Sequence, residues 1–155
     1  MGKIDDRLKE LGIELAEPAA PVANYVGYVI SGNLVFVSGQ VTLEDGEFKY
    51  VGKVGETYSI EEGAAAARLC GINILAQVKH ACGGDLDRVK RVVKLGGFVN
   101  APVDFTQHPQ VINGCSDLMV EVFGERGKHA RAAVGMASLP RGQAVEIELV
   151  VEVYD

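Results

Sequence analysis

The sequence predicts an α+β domain in which two long helices lie beside a mostly antiparallel sheet. Three observations carry this. The last residues alternate strictly: Val145, Ile147, Leu149, Val151 and Val153 share one face, while Glu146, Glu148 and Glu152 lie on the other, as in a half-buried strand. Two segments, Ser59 to about Cys82 and Val111 to Val122, carry apolar residues at helical spacing. The rest holds short β-rich runs punctuated by Gly, Asn and Asp, which gives the element order β-β-β-α-β-α-β-β.

At the start, Ile4, Leu8 and Leu11 share one helical face, a short N-terminal helical extension over about 3–12 that Gly12 ends. Glu17-Pro18-Ala19-Ala20-Pro21 is an extended connector, because each proline biases its predecessor away from helix. Tyr25 to Val29 and Leu34 to Ser38 read as a hairpin around Ser31-Gly32-Asn33. Ser38-Gly39-Gln40 follows, and a glycine directly after a buried strand marks either a close approach to the backbone or a bulge. Glu44-Asp45-Gly46 predicts a tight turn before a short edge strand, Phe48 to Val51.

Ser59 and Glu62 form a capping box that opens the first long helix, with Leu69, Ile72, Leu75 and Ala76 as its core stripe. Ala64 to Ala67 allow close packing on a sheet, and Gly83-Gly84 stops the helix. Asp85 to Arg88 turns into a strand, Val89 to Val99, in which Gly96-Gly97 predicts a bend or bulge. After a loop, Pro102 to Pro109, the second helix places Val111, Ile112, Cys115, Leu118, Met119 and Val122 on its buried side. The chain ends in an expected hairpin: small residues from Ala130 to Ala137, a turn at Leu139-Pro140-Arg141-Gly142, then Val145 to Val153. Arg131 is the only charge among Ala130, Ala132, Ala133, Val134 and Gly135. If those two strands pair, Arg131 and one carboxylate of the last strand line the same pocket.

A length of 155 residues suits a single domain, 1–155, with 48% hydrophobic and 23% charged residues in the range of ordinary globular chains. The net charge of -6 weighs against a dedicated nucleic-acid binder. No apolar run approaches the roughly 20 residues that cross a bilayer. MGKIDDRLKELGIEL mixes both charge signs without an apolar core, so no signal peptide is expected. Cys70, Cys82 and Cys115, an odd number with no close pair, point to a cytoplasmic location and to buried structural thiols. His80, His108 and His129 show no metal-ligand spacing and read as surface or capping histidines. No G-x-S-x-G elbow, P-loop or G-x-G-x-x-G is present, which disfavours serine-hydrolase and nucleotide chemistry.

Ser38-Gly39-Gln40 after a hairpin strand, Asn113 opening the second helix, Arg131 beginning a strand, and Leu139-Pro140 followed by Val145-Glu146-Ile147-Glu148 together resemble the Rid family. These are the reactive intermediate deaminases, also called the YjgF or endoribonuclease L-PSP family, and the resemblance runs from about Val22 to Val153. It implies a chorismate-mutase-like fold of the bacillus type, with two helices on one face of the sheet. It also implies a homotrimer whose sheets form a central barrel, with a ligand cleft at each subunit interface. The implied activity is hydrolytic deamination of enamines and imines of the 2-aminoacrylate type to keto acid and ammonia, with a small carboxylate-bearing molecule as partner and no metal or other cofactor. By the same resemblance Arg131 binds the carboxylate and Glu146 is the acid/base. Tyr25 is the pocket tyrosine, Gly39 offers its backbone to the ligand with Ser38 beside it, and Asn113 is the helix-start asparagine.

The residues alone leave other roles open: Glu146 as one of three solvent-face carboxylates, Arg131 as an interface ion pair, Tyr25 as core, Asn113 as a helix cap. Strand parity separates Glu146 and Glu148 from Val145 and Ile147 but not from each other. The chain also departs from the deaminase pattern. Ala133 stands where a cysteine usually follows the arginine by two residues, and extra residues lie before the first hairpin, around Asp45 to Gly55 and in Gly83 to Pro109. The loop Val103 to Gln107 is placed to reshape a cleft mouth. These departures suit a longer branch of the family and support an alternative, a non-catalytic small-molecule binder or regulator with the same trimeric cleft. RNA cleavage, suggested by one family name, sits poorly with the acidic charge.

Overall fold

The computed structural model describes residues 2–18, 20–21 and 23–155. Ala19 of the expected connector and Val22, the start of the resemblance, lie outside the described residues. In chain order the elements are α1 (Lys3–Glu10), β1 (Tyr28–Ser31), β2 (Leu34–Gln40), β3 (Leu43–Glu44), β4 (Glu47–Phe48), α2 (Ile60–Ala81), β5 (Val89–Asn100), α3 (His108–Phe123), β6 (Ala130–Met136) and β7 (Val145–Val153). Five strands form one sheet in the order β1-β2-β7-β5-β6, and α2 and α3 cover one of its faces, an α+β architecture.

The strictly alternating strand β7 takes the centre. Val145, Ile147, Leu149, Val151 and Val153 are all buried, and β7 pairs antiparallel with β2 on one side and β5 on the other. The expected C-terminal hairpin does not form, because β5 lies between β6 and β7. β6 instead runs parallel to β5, reached from it through α3, as a β-α-β crossover requires. Side-chain size explains the outcome. The large apolar face of β7 needs neighbours on both sides, whereas Ala130, Ala132, Val134 and Gly135 of β6 tolerate an exposed edge.

Other boundaries shift for local reasons. Tyr25 precedes β1 instead of opening it. The expected edge strand Phe48 to Val51 is replaced by the two-residue pairing of β3 with β4 around Asp45-Gly46, where both residues have positive φ (52° and 79°) as a tight hairpin turn demands. Gly96 and Gly97 sit in regular register, and the irregularities of β5 fall between Val89 and Arg91 and between Val92 and Lys94. The glycines serve close packing instead: a Cβ on Gly97 would lie 2.6 Å from Ile112 of α3, and one on Gly96 2.9 Å from Glu148. In α2 the capping box of Ser59 and Glu62 forms as expected, but Ile74 and Val78 are fully buried while Ile72 is only partly so. The small residues of α2 also serve helix-on-helix packing, since a Cβ on Gly114 of α3 would overlap the Ala64 backbone. α1 docks through buried Ile4 and Leu8, and the Asp87 carboxylate caps its start by accepting from the Lys3 and Ile4 N–H groups, 2.9 Å each.

Candidate functional site

The sequence-marked residues fall into two groups. The first lies on the sheet face away from the helices. The register between β2 and β7 slips between Val37 and Gln40, and this bulge brings the Gly39 backbone against Glu146. A Cβ on Gly39 would lie 2.6 Å from Glu146 Oε2, so both readings of that glycine hold: it sits in a bulge and it permits a close approach. Ser38 Oγ donates to the Val26 carbonyl (2.6 Å) and Ser38 N–H to the Gly27 carbonyl (2.9 Å), which ties the segment carrying Tyr25 to the same end of β2. Tyr25 is 55% exposed and is not core.

Glu146 is half-buried opposite Phe98, and burial, followed by the nearby charge of Glu148, raises its carboxyl above the ordinary range. Glu148 is exposed opposite Gly96 and lines a shallow hollow of about 230 Å³ with Phe36, Lys94 and Val150. Each carboxylate lies against a glycine, Glu146 against Gly39 and Glu148 against Gly96, and what distinguishes them is burial: Glu146 is half-buried and Glu148 exposed.

The second group gathers at the other face. β6 places Arg131 opposite Leu95, a buried residue on the helix side, and the guanidinium reaches α3 along the sheet edge. Its Nη1 donates to Asn113 Oδ1 (2.8 Å) and to Ser116 Oγ (3.1 Å). Asn113 is therefore not a cap: α3 starts at His108, and Asn113 lies in its second turn. Among the described residues no carboxylate of the same chain pairs with Arg131, so the interface ion pair left open by the sequence would need a carboxylate from another copy. Sequence reading missed two members of this group. Ser116 Oγ also meets His129 Nε2 (2.9 Å), and His129 Nδ1 meets the Gly127 carbonyl (2.7 Å). The available signals were local spacings, Ser116 one helical turn beyond Asn113 and His129 two residues before Arg131. Ala133 follows Arg131 on the same face, opposite Gly97.

Within one chain the two groups are far apart. Two strand spacings, about 10 Å, separate β6 from β7, and Arg131 and Glu146 stand opposite Leu95 and Phe98, about 10 Å apart along β5. They also point to opposite faces of the sheet. The buried cysteines offer no ready nucleophile: burial pushes the Cys115 thiol up to about 12 and the Cys70 thiol well above its usual range. Among the described residues no cluster of His, Cys, Asp and Glu is placed to hold a metal ion, and no helix is long and apolar enough to cross a membrane.

With this geometry in place, similarity to known proteins is informative. A family model described as "YjgF/chorismate mutase-like, putative endoribonuclease" matches residues 5–153. Protein TCP17 of Trypanosoma cruzi is 49% identical over 152 residues, spanning 97% of this chain and 94% of that protein. The crystal structure of Atu1372 from Agrobacterium tumefaciens, of unknown function, is 50% identical with a TM-score of 0.91, covering 97% of this chain and 92% of that one. A Shewanella oneidensis protein described as a "putative endoribonuclease" is 37% identical with a TM-score of 0.94, covering 98% and 100% of the two chains. RidA from an Antarctic Psychrobacter is 33% identical with a TM-score of 0.59, covering 88% and 94%.

Proposed function

The chain belongs to the YjgF/chorismate mutase-like family, and on that premise we propose that it hydrolyses reactive enamine and imine intermediates of the 2-aminoacrylate type to a keto acid and ammonia. The observation that carries this reading is Arg131: a guanidinium fixed by two neutral oxygens, unpaired with any carboxylate among the described residues, with N–H groups left to grip a small organic acid.

The reaction asks little of a nucleophile. Protonation of the enamine methylene carbon with loss of one N–H proton gives the imine, whose C2 is already electrophilic. Water adds there while a carboxylate takes its proton and the imine nitrogen gains one. The carbinolamine then collapses: its amino nitrogen takes up a proton, the C–N bond breaks, ammonia departs with the bonding pair, and the hydroxyl gives up its proton as the C=O forms. Glu146 suits this exchange, because a half-buried carboxyl with a raised pKa gives and takes protons nearer neutral pH than an ordinary one. Arg131 holds the substrate carboxylate so that C2 meets the positioned water. Tyr25, Ser38 and Gly39 wall the Glu146 side and Asn113 the Arg131 side.

Since Arg131 and Glu146 of one chain are too distant and oppositely directed to share a small molecule, the site takes Arg131 from one copy and Glu146 from a neighbour. A homotrimer with three such clefts fits this need. The uncovered sheet face supports it, because Val29 and Phe36, paired across β1 and β2, and Val134 of β6 are exposed on it as apolar surface suited to burial against another sheet. The test couples a serine or threonine dehydratase to a keto-acid assay. The protein is expected to accelerate keto-acid release and Arg131→Ala to abolish the gain; no acceleration, or full acceleration by the variant, refutes the reading.

Ala133 favours a second reading, a carboxylate-binding regulator without turnover, since it removes a polar group from beside Arg131. Binding of keto acids in a thermal-shift screen without acceleration in the coupled assay would establish it. The endoribonuclease reading carried by the family description gains little from a chain with a net charge of -6.

A further inference from the structure

We propose that Ser116 and His129 are positioning residues that lock Arg131 in one orientation and dictate which edge of its guanidinium meets the substrate. The inference rests on the reading of Arg131 as the carboxylate grip, and it follows from the direction of four hydrogen bonds.

The Gly127 carbonyl, 2.7 Å from His129 Nδ1, can only accept, so Nδ1 carries the ring hydrogen. In the neutral imidazole Nε2 is then an acceptor, and its partner at 2.9 Å, Ser116 Oγ, must donate. The single hydroxyl hydrogen of Ser116 is thereby committed, and Oγ turns lone pairs toward Arg131 Nη1 at 3.1 Å. Asn113 Oδ1 takes the other Nη1 hydrogen at 2.8 Å. Both Nη1 hydrogens now have acceptors. What remains free for a ligand is the Nε–H and Nη2–H pair, a parallel side-on fork that matches the two oxygens of a carboxylate.

The relay has a fixed sense from a backbone carbonyl through an imidazole and a hydroxyl to the guanidinium, and it fixes a long side chain at an exposed strand edge. An arginine left free there would lose rotamer entropy on every binding event. The expected consequence is a contribution to carboxylate affinity and little to the chemical step. Ser116 and His129 touch neither substrate nor reacting atoms.

The test compares Ser116→Thr, which keeps the hydroxyl, with Ser116→Val, which has the same shape without it. Pyruvate is titrated calorimetrically, and kcat is read in the dehydratase-coupled assay. Ser116→Thr is expected to bind within about twofold of the parent and Ser116→Val roughly five- to tenfold more weakly, with kcat changed less than about twofold in both. His129→Phe removes the same acceptor without touching α3 and is expected to match Ser116→Val. Equal affinity of the Thr and Val variants overturns the inference. Nitrogen NMR of the parent supplies a readout independent of binding: His129 is expected as the Nδ1–H tautomer, and the Nε2–H tautomer overturns the relay. Retention of pyruvate affinity by Arg131→Ala refutes the function proposed above while leaving the tautomer result to judge the relay.

Discussion

Glu146 shows how one residue carries opposed demands. Burial and the charge of Glu148 raise its folded-state pKa above the unfolded value of about 4.5. The charged form is therefore disfavoured in the fold: the penalty is absent below the unfolded pKa, and grows as pH rises from there through the folded pKa. Glu146→Gln removes the group, so the loss of stability between pH 4 and pH 8, read as the shift in urea midpoint, is expected to shrink, with the variant gaining relative to the parent at pH 8. Turnover is expected to fall by about 100-fold or more. An unchanged pH dependence would mean that water reaches the carboxyl freely. At this scale the sequence exposed part of the candidate site. Arg131 stood out as the lone charge among small residues, and Gly39 as a glycine after a buried strand. Ser116 and His129 did not, because their roles arise from side chains meeting across 13 to 18 positions of sequence, in a geometry set by how α3 lies over β6.

Among the elements, alternation and capping were legible while partnership was not. The β7 pattern dictates which face is buried, and Ser59 and Glu62 dictate where α2 begins; both depend on residues close in sequence. Which strand lies beside β7 depends on the path of the chain through α3, which no local pattern encodes. α1 illustrates a dependence of the same kind. Gly2 has no side chain to cap the helix, and Asp87, more than 80 positions away, supplies both acceptors. Asp87→Ala is expected to cost about 1–2 kcal/mol in chemical denaturation, with amide exchange accelerating in residues 3–10 before β5. If exchange in α1 stays at the parental rate, the cap is not what fastens it.

For the molecule as a whole, the sheet carries one face sealed by helices and one left open, and the candidate catalytic pair is divided between them. The proposed cleft shared between copies makes a genetic demand. Arg131→Ala and Glu146→Gln, each inactive alone, are expected to rescue one another when both chains are made in the same cell and assemble at random. An interface is intact when it joins an undamaged arginine to an undamaged glutamate, which happens with a chance of one half on each side, so about a quarter of parental activity should return. Separately purified variants, mixed without exchange of subunits, should stay silent. The proposed ring would not be poisoned outright by one damaged copy: each defective chain would still lend its good half to the next.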